Sequence, residues 1–386
     1  MRILHCCLAA FYIDDAGYQE NILPKMHKLQ GHDVSIIAST ETYIDNKKLG
    51  YVAPRQYLSS DEIPVTRLGY SRWLPHALAK KVRSYPGLTS ALEQANPDII
   101  FLHNCQFWDT HKIINFVREH PNVKVYVDGH SDFINSANTW VSKNVLHGLL
   151  YKRCTKVLEP YVQKFWGVLP ARVDFFSQMY DVDPEKTDLL VLGADDTLIN
   201  WKSEDQVREA FRNEHGIGQN DFVIISGGKI DRRKNLPSLL KAIAKLNRDD
   251  IKLVIFGTPN DDMKVEFEAL AAHPNIVSLG WVKSTGVYDL FLASDLAVFP
   301  GTHSVLWEQA VGTGLPAIFR RWSGIEHVDV GGNCIFLDQG TEDEIATSIE
   351  SLVDSKSKLE SMRNVAIERG IPEFSFSMIA KRAIEQ

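Results

Sequence analysis

Cysteine is scarce in this sequence, with five in 386 residues. Cys6, Cys7, Cys105, Cys154 and Cys334 are scattered, with no Cys-x-x-Cys pair. Neither a disulfide framework nor a zinc motif is therefore expected, and a reducing compartment is. Long apolar runs are missing too, since none approaches the roughly 20 residues of a membrane span. The apolar start, residues 1–13, is broken by His5 and lacks a basic lead, so it reads as a buried first strand and not as a signal peptide. Basic charge is short: 42 Lys+Arg against 49 Asp+Glu leave a net charge of −7, which argues against a nucleic-acid binder. No Gly-x-Gly-x-x-Gly follows the first strand, which speaks against a dinucleotide-dependent dehydrogenase. No Asp-x-Asp group offers itself to a metal. Repeats and low-complexity tracts are absent.

What is present is alternation. Strand-like runs at 2–9, 33–38, 98–103, 124–128, 165–169 and 189–193 are separated by amphipathic stretches such as 18–30 and 85–95. A second series follows at 222–227, 252–256, 276–279, 296–299, 317–319 and 333–337, with helices expected at 236–246, 263–271, 286–293 and 342–354. Repeated β-α-β alternation predicts parallel sheets covered by helices. The length suits two domains of similar size. The polar segment 196–220 reads as a linker with a lead-in helix. The expected domains are 1–195 and 196–372, with a C-terminal helix at 373–386 crossing back to the first. In such sheets ligands bind beyond the carboxyl ends of the strands, so the natural site is a cleft between the two domains.

The most informative stretch is 298–316. A short apolar strand ends in a Gly301-Thr302-His303-Ser304 loop, and a helix follows that carries Glu308 and stops at Gly312, Gly314 and Pro316. Backbone N–H groups at a helix start favour an anion, here from Ser304 and Val305. A carboxylate one turn in can accept hydrogen bonds from hydroxyls. Phosphate plus polyhydroxyl describes a nucleotide sugar. Upstream, Ser226-Gly-Gly228-Lys229-Ile-Asp-Arg-Arg-Lys234-Asn235 follows a strand and opens a helix. Its glycines let the backbone approach a phosphate, and its cations can neutralise a diphosphate.

These segments resemble the donor site of the retaining nucleotide-sugar glycosyltransferases of family 4, within glycosyl transferases group 1. That family carries Glu-x7-Glu followed by Ala-x-x-x-Gly-x-Pro, and Glu308-Gln-Ala-Val-Gly-Thr-Gly-Leu-Pro316 fits the second half. The first half departs, because Pro300 stands where the first glutamate would. Gly228-Lys229-x4-Lys234-Asn235 is similar to the family's Gly-Arg-x4-Lys-Gly, with lysine for arginine and asparagine for glycine. Lysine binds phosphate as a point charge where arginine would bind it bidentately.

The resemblance implies a GT-B fold, two doubly wound Rossmann-like α/β domains facing a cleft, over nearly the whole chain. Phe374 to Ala380 looks like the family's closing segment, with Phe376 where tryptophan is common. The turn Gly280-Trp281-Val282 would read the nucleobase through main-chain groups, centred on Val282, unless it is only a strand-end turn around a core tryptophan. Asp295, just before strand 296–299, reads as structural. His303 is the candidate stand-in for the missing glutamate, and Glu308 the acceptor for ribose hydroxyls. In the first domain His130 ends an apolar strand between Asp128 and Asp132, as the family's donor-facing histidine does, and the flanking carboxylates could orient it. His103-Asn104 ends the preceding strand and is a weaker candidate. Gly17 lies between the first strand and helix, where the family keeps glycines near the phosphates. The basic clusters at 72–76 and 80–83 read as solvated faces or as a peripheral contact with an anionic membrane.

The resemblance implies transfer of a hexose-type unit from a nucleoside diphosphate sugar, UDP favoured over GDP, to a hydroxyl acceptor such as an oligosaccharide or a lipid-linked sugar. Polysaccharide or glycolipid assembly on the cytoplasmic side, at the inner membrane face, is the implied setting. His130, Lys229 and Lys234 would serve catalysis, with no metal and no further cofactor. The lysines would stabilise the departing diphosphate. Retention would follow same-face attack, with the leaving phosphate taking the acceptor proton. The alternatives are a sugar-nucleotide 2-epimerase of the same architecture and a non-catalytic nucleotide-sugar binder.

Overall fold

The computed structural model describes residues 1–44, 48–133 and 136–385. Contacts divide the chain into a first unit, Met1–Val191 joined by the segment from Ile379 onward, and a second unit, Leu192–Met378.

The first unit is built on an eight-stranded sheet. Its spatial order is Thr187–Leu189, Val162–Gly167, Lys124–Gly129, Ile99–His103, Arg2–Cys7, Asp33–Ser39, Pro64–Leu68 and Arg55–Leu58. All neighbours are parallel except the last pair, which is antiparallel. The central strands are mainly apolar and, apart from Arg2 and Lys124 at their starts, buried, as helices on both faces require. Leu4, Leu102, Val127 and Phe165 anchor the core, with Leu92, Ile113 and Phe176 from the covering helices.

Six strands were expected here. Two of the added ones, Pro64–Leu68 and Arg55–Leu58, evade an apolar search because Arg67 points inward. Its guanidinium is buried and donates to Ser39 O, Tyr12 O, Tyr57 Oη and Asp14 Oδ2 at 2.9–3.1 Å. A small hairpin, Glu41–Ile44 with Lys48–Tyr51, was also not anticipated. The strand expected at 189–193 is a correction. Pairing runs over Thr187–Leu189, after which Leu190 donates to Gly167 O at 3.0 Å as the chain leaves the sheet edge.

The helix Phe376–Ile384 ends against this unit. Trp166 Nε1 and Tyr126 Oη donate to Ala383 O and Ile384 O, each at 3.1 Å. These are carbonyls at a helix end that lack intrahelical partners.

The second unit has a six-stranded parallel sheet in the order Ile276–Gly280, Ile251–Phe256, Phe222–Gly227, Leu296–Phe299, Ala317–Arg320 and Cys334–Leu337. The strands fall where their apolar runs predict. Asp295 caps the sheet's lower edge, accepting from Arg208, Arg212 and the Val223 N–H, in keeping with a structural role. The five cysteines are free, four of them buried. Among the described residues no helix is long and apolar enough to cross a membrane.

Candidate functional site

In the second sheet the strand order reverses direction between Phe222–Gly227 and Leu296–Phe299, which are neighbours paired through Ile224 and Ile225. Loops leaving adjacent strands at such a point diverge and open a crevice. The two loops are 228–235 and 300–305, so chain topology brings the two sequence motifs together.

Their meeting is intimate. A Cβ on Gly301 would lie 2.3 Å from Arg233 O and 2.4 Å from Lys234 Cα, so only glycine permits this approach. Thr302 N–H donates to Arg233 O at 2.9 Å. That N–H is therefore engaged within the protein. Lys234 Nζ donates to Thr302 O and His303 O at 2.8 and 2.9 Å, leaving one of its three N–H groups. Burial pulls the Lys234 pKa down to about 8, with Asp231 opposing and the cations Arg233 and Lys229 assisting. Asn235, in place of the family's glycine, sits at φ +54, a left-handed conformation that asparagine tolerates. Its amide donates to Gly340 O and Pro300 O at 2.8 and 3.3 Å, tying both loops to a third. Lys229 is exposed beside Gly228, whose φ of +97 suits glycine.

Glu308 is the third residue of the helix Leu306–Gly312 and is fully buried. Its Oε1 accepts from His303 Nε2 at 2.8 Å and from His327 Nε2 at 2.9 Å. Burial alone would raise the carboxyl pKa, but His303 and then His327 outweigh it and hold the group at about 2. Glu308 Oε2 is buried with no hydrogen-bond partner among the described residues, as are Ser226 Oγ, Trp307 Nε1 and His327 Nδ1. An ionised oxygen left in that state is costly, so Glu308 Oε2 is available to accept from a hydroxyl or N–H donor. Trp307 stacks on Phe319 with ring centroids 4.4 Å apart and sets the helix on the sheet.

His327 was missed in the sequence. It lies on the turn Glu326–Val328, nineteen positions past Glu308, with no motif spacing to mark it. His303 therefore shares its carboxylate with a second imidazole and is 13% exposed at the side chain. The ligand atoms of His303, Glu308 and His327 lie within 4.8 Å of one another, close enough to hold a metal ion. Val282 is half-buried after Gly280, whose φ is +68, and Trp281 is 71% exposed, so the turn is not organised round a core tryptophan.

In the first unit the corresponding reversal lies between Arg2–Cys7 and Ile99–His103. His130 follows the strand Lys124–Gly129, with Nε2 at 3.4 Å from Asp128 Oδ1 and 4.0 Å from Glu20 Oε1. Burial lowers its pKa, yet Asp128 and Glu20 prevail against Arg172 and leave it raised. Asp132, expected to flank His130, instead pairs with Arg172 at 3.3 Å. Asn104 Oδ1 accepts from the His130 N–H at 3.1 Å, and Asn104 N–H donates to Asp128 Oδ1 at the same distance. His103 Nδ1 meets Asp128 Oδ2 at 2.7 Å, so the pair ranked lower in the sequence braces the one ranked higher. Gly17 is exposed just before the helix Gln19–Leu29. Glu20, His103 and His130 also cluster within 4.8 Å, but His5 and Asp128 occupy both His103 nitrogens and leave no lone pair for an ion.

Residues 207–369 match the family model described as Glycosyl transferases group 1. A D-inositol 3-phosphate glycosyltransferase of Corynebacterium kroppenstedtii is 26% identical over 217 residues, 52% of this chain and 48% of that protein. The chain thus matches about half the length of this relative. Among solved structures, Anabaena HepE in complex with UDP superposes with a TM-score of 0.68 at 15% identity, covering 99% of this chain and 98% of that one. Sucrose-phosphate synthase from Thermosynechococcus elongatus gives 0.67 at 14% identity, covering 99% and 97%. The catalytic domain of starch synthase IV from Arabidopsis thaliana, bound to ADP and acarbose, gives 0.63 at 13%, covering 100% and 99%. The chain adopts the GT-B fold of two Rossmann-like domains, and Lys229, Lys234, His303, Glu308 and His327 all lie within residues 207–369, the part that matches the glycosyl transferases group 1 model.

Proposed function

We propose that the protein is a glycosyltransferase that moves a sugar from a nucleoside diphosphate sugar to a hydroxyl acceptor with retention of configuration, as family 4 does. The observation that carries this reading is Glu308. It is held ionised by two imidazoles at the switch point, with Oε2 buried and lacking a donor among the described residues. Ribose hydroxyls supply such donors. The remaining N–H of Lys234, the exposed Lys229 and the backbone at Gly228 are arranged for the diphosphate, and the turn at Val282 for the base.

Catalysis is then mainly electrostatic. Negative charge builds on the β-phosphate as the anomeric bond breaks, and fixed cations stabilise it without reorganising. His130 contacts the sugar, with its ring set by Asp128 and its backbone by Asn104. The lysines take the part a metal plays elsewhere, so turnover proceeds without one. UDP-sugars are the preferred donors. Support comes from HepE, solved with UDP, although starch synthase IV is bound to ADP and the fold alone leaves the base open. The acceptor is an oligosaccharide or lipid-linked sugar in polysaccharide or glycolipid assembly, reached at the cytoplasmic membrane face.

A thermal-shift panel of UDP-, GDP- and ADP-sugars tests the donor, because a ligand at about 100 times its Kd stabilises by roughly 2.7 kcal/mol. A rise in Tm with one nucleotide class, followed by release of that diphosphate when acceptors are added, is expected. A flat panel would remove the reading.

A further inference from the structure

Beneath His130 the first unit holds a continuous chain of imidazoles. His27 Nε2 contacts Ala380 O at 2.8 Å, and His27 Nδ1 contacts His5 Nε2 at 3.0 Å. His5 Nδ1 contacts His103 Nε2 at 3.0 Å, and His103 Nδ1 contacts Asp128 Oδ2 at 2.7 Å. All four side chains are buried to 0% exposure, so no bulk water relieves a mismatch.

The ends of this chain fix its proton count. A carbonyl oxygen and a carboxylate oxygen both accept. Four hydrogen bonds in series need four protons, while three neutral imidazoles carry three. Starting from Ala380, His27, His5 and His103 must each donate through Nε2, which would leave a bare Nδ1 of His103 facing a carboxylate. Starting from Asp128, the mismatch moves to a bare Nε2 of His27 facing a carbonyl. Every neutral arrangement leaves two lone pairs opposed across 2.7–3.0 Å. One added proton removes the defect and balances the charge of Asp128.

We infer that this chain permanently holds one proton beyond three neutral rings, that it resides on His103 as an imidazolium, and that His103 acts as a positioning residue that sets the charge felt by His130. The location follows from the pairing, since only His103 touches the carboxylate. Burial, then the neighbouring imidazoles, pulls His5 well below the usual imidazole range. Burial brings His27 to about 4, with the Ala380 carbonyl opposing. Asp128 stays ionised: burial opposes this, but His103 and His130 hold its pKa well below the usual carboxylate range. The surrounding groups are Glu20 on the helix Gln19–Leu29 and Arg172 on the helix Pro170–Tyr180, both acting on His130. His32 faces His27, and the Cys7 thiol lies near Glu20 and Asp128, with burial keeping it protonated. With His103 charged, the carboxylate beside His130 is already compensated. Without that proton, Asp128 would draw a proton onto His130.

The test is nitrogen NMR of 15N-labelled full chain at pH 8, with histidines assigned by single variants. Two protonated ring nitrogens are expected for His103, and protonated Nε2 with bare Nδ1 for His5 and His27. Three neutral rings would overturn the proposal. Two variants sharpen it. His27→Gln keeps a donor for Ala380 and an acceptor for His5, so His103 stays an imidazolium and His130 titrates as in the wild type. His27→Phe removes the accepting end. The two remaining rings can then reverse, His103 becomes neutral, and the His130 midpoint moves up by about one pH unit. Equal His130 midpoints in both variants would contradict the coupling, and the wild-type spectrum decides the proton count even if His27→Phe fails to fold.

Discussion

Each unit sets one buried carboxylate against two imidazoles at the C-terminal end of its sheet, and the two clusters differ in what they leave unsatisfied. Around Asp128 both oxygens are engaged, Oδ2 by His103 and Oδ1 by Asn104 N–H and His130, and the network continues inward to a helix carbonyl. Around Glu308 both imidazoles converge on Oε1, and Oε2 has no donor among the described residues. The first cluster is closed and presents a tuned histidine. The second is open and presents a carboxylate. The same residue types thus give a positioned ring in one case and a hydroxyl acceptor in the other, according to which oxygen the imidazoles take.

The largest effect should come from breaking the support of the open cluster. Gly301→Val would place a branched side chain within 2.3 Å of the 233–234 backbone, and overpacking of this kind costs about 1–3 kcal/mol. The Tm should fall, and UDP affinity by calorimetry should drop beyond detection because Lys234 and the 300–305 loop separate. Unchanged UDP affinity would detach that loop contact from the site.

Next comes Lys234→Ala, expected to weaken UDP about tenfold at pH 7 through loss of a charge-assisted contact. The sign with pH is defined. Lys234 is cationic below about pH 8 and neutral above it, so wild-type affinity should fall as pH rises through that value. The variant should lose this pH step, and a step that survives in Lys234→Ala belongs to another group.

His303→Ala should act more on turnover than on binding. His327 still holds Oε1, so free UDP affinity should change less than the rate of sugar transfer, which slows. Full activity would end the idea that His303 replaces the missing glutamate. Smallest of all, excess chelator should leave turnover unchanged. Activity lost on chelation and restored by magnesium or manganese would instead make His303, Glu308 and His327 metal ligands.

Much of this was legible in the sequence, for identifiable reasons. Central parallel strands are buried on both faces, so 222–227 and 296–299 stand out as apolar runs. Lys234 and Glu308 could be singled out because each lies at fixed spacing from a glycine loop. The strand Pro64–Leu68, second from one edge of the first sheet, was hidden by the inward-pointing Arg67. His327 was hidden because its partner is nineteen positions away on another element. The His5–His27–His103 chain was hidden too: its members sit on two strands and a helix, and His5 looked only like an interruption in an apolar run. Proximity created by topology leaves no local trace.

The central claim is that Glu308 receives the ribose hydroxyls of the donor. It is tested most directly by a cycle between residue and ligand, with calorimetric titration of UDP and its 2′,3′-dideoxy analogue into wild type and into folded Glu308→Ala. In wild type, removing the hydroxyls should weaken binding by roughly 1.5–3 kcal/mol, the range for hydrogen bonds to a charged group. In Glu308→Ala the two ligands should bind alike, with the affinity of dideoxy-UDP for wild type. An equal loss on removing the hydroxyls from both proteins would show that Glu308 does not touch the ribose and would contradict the account.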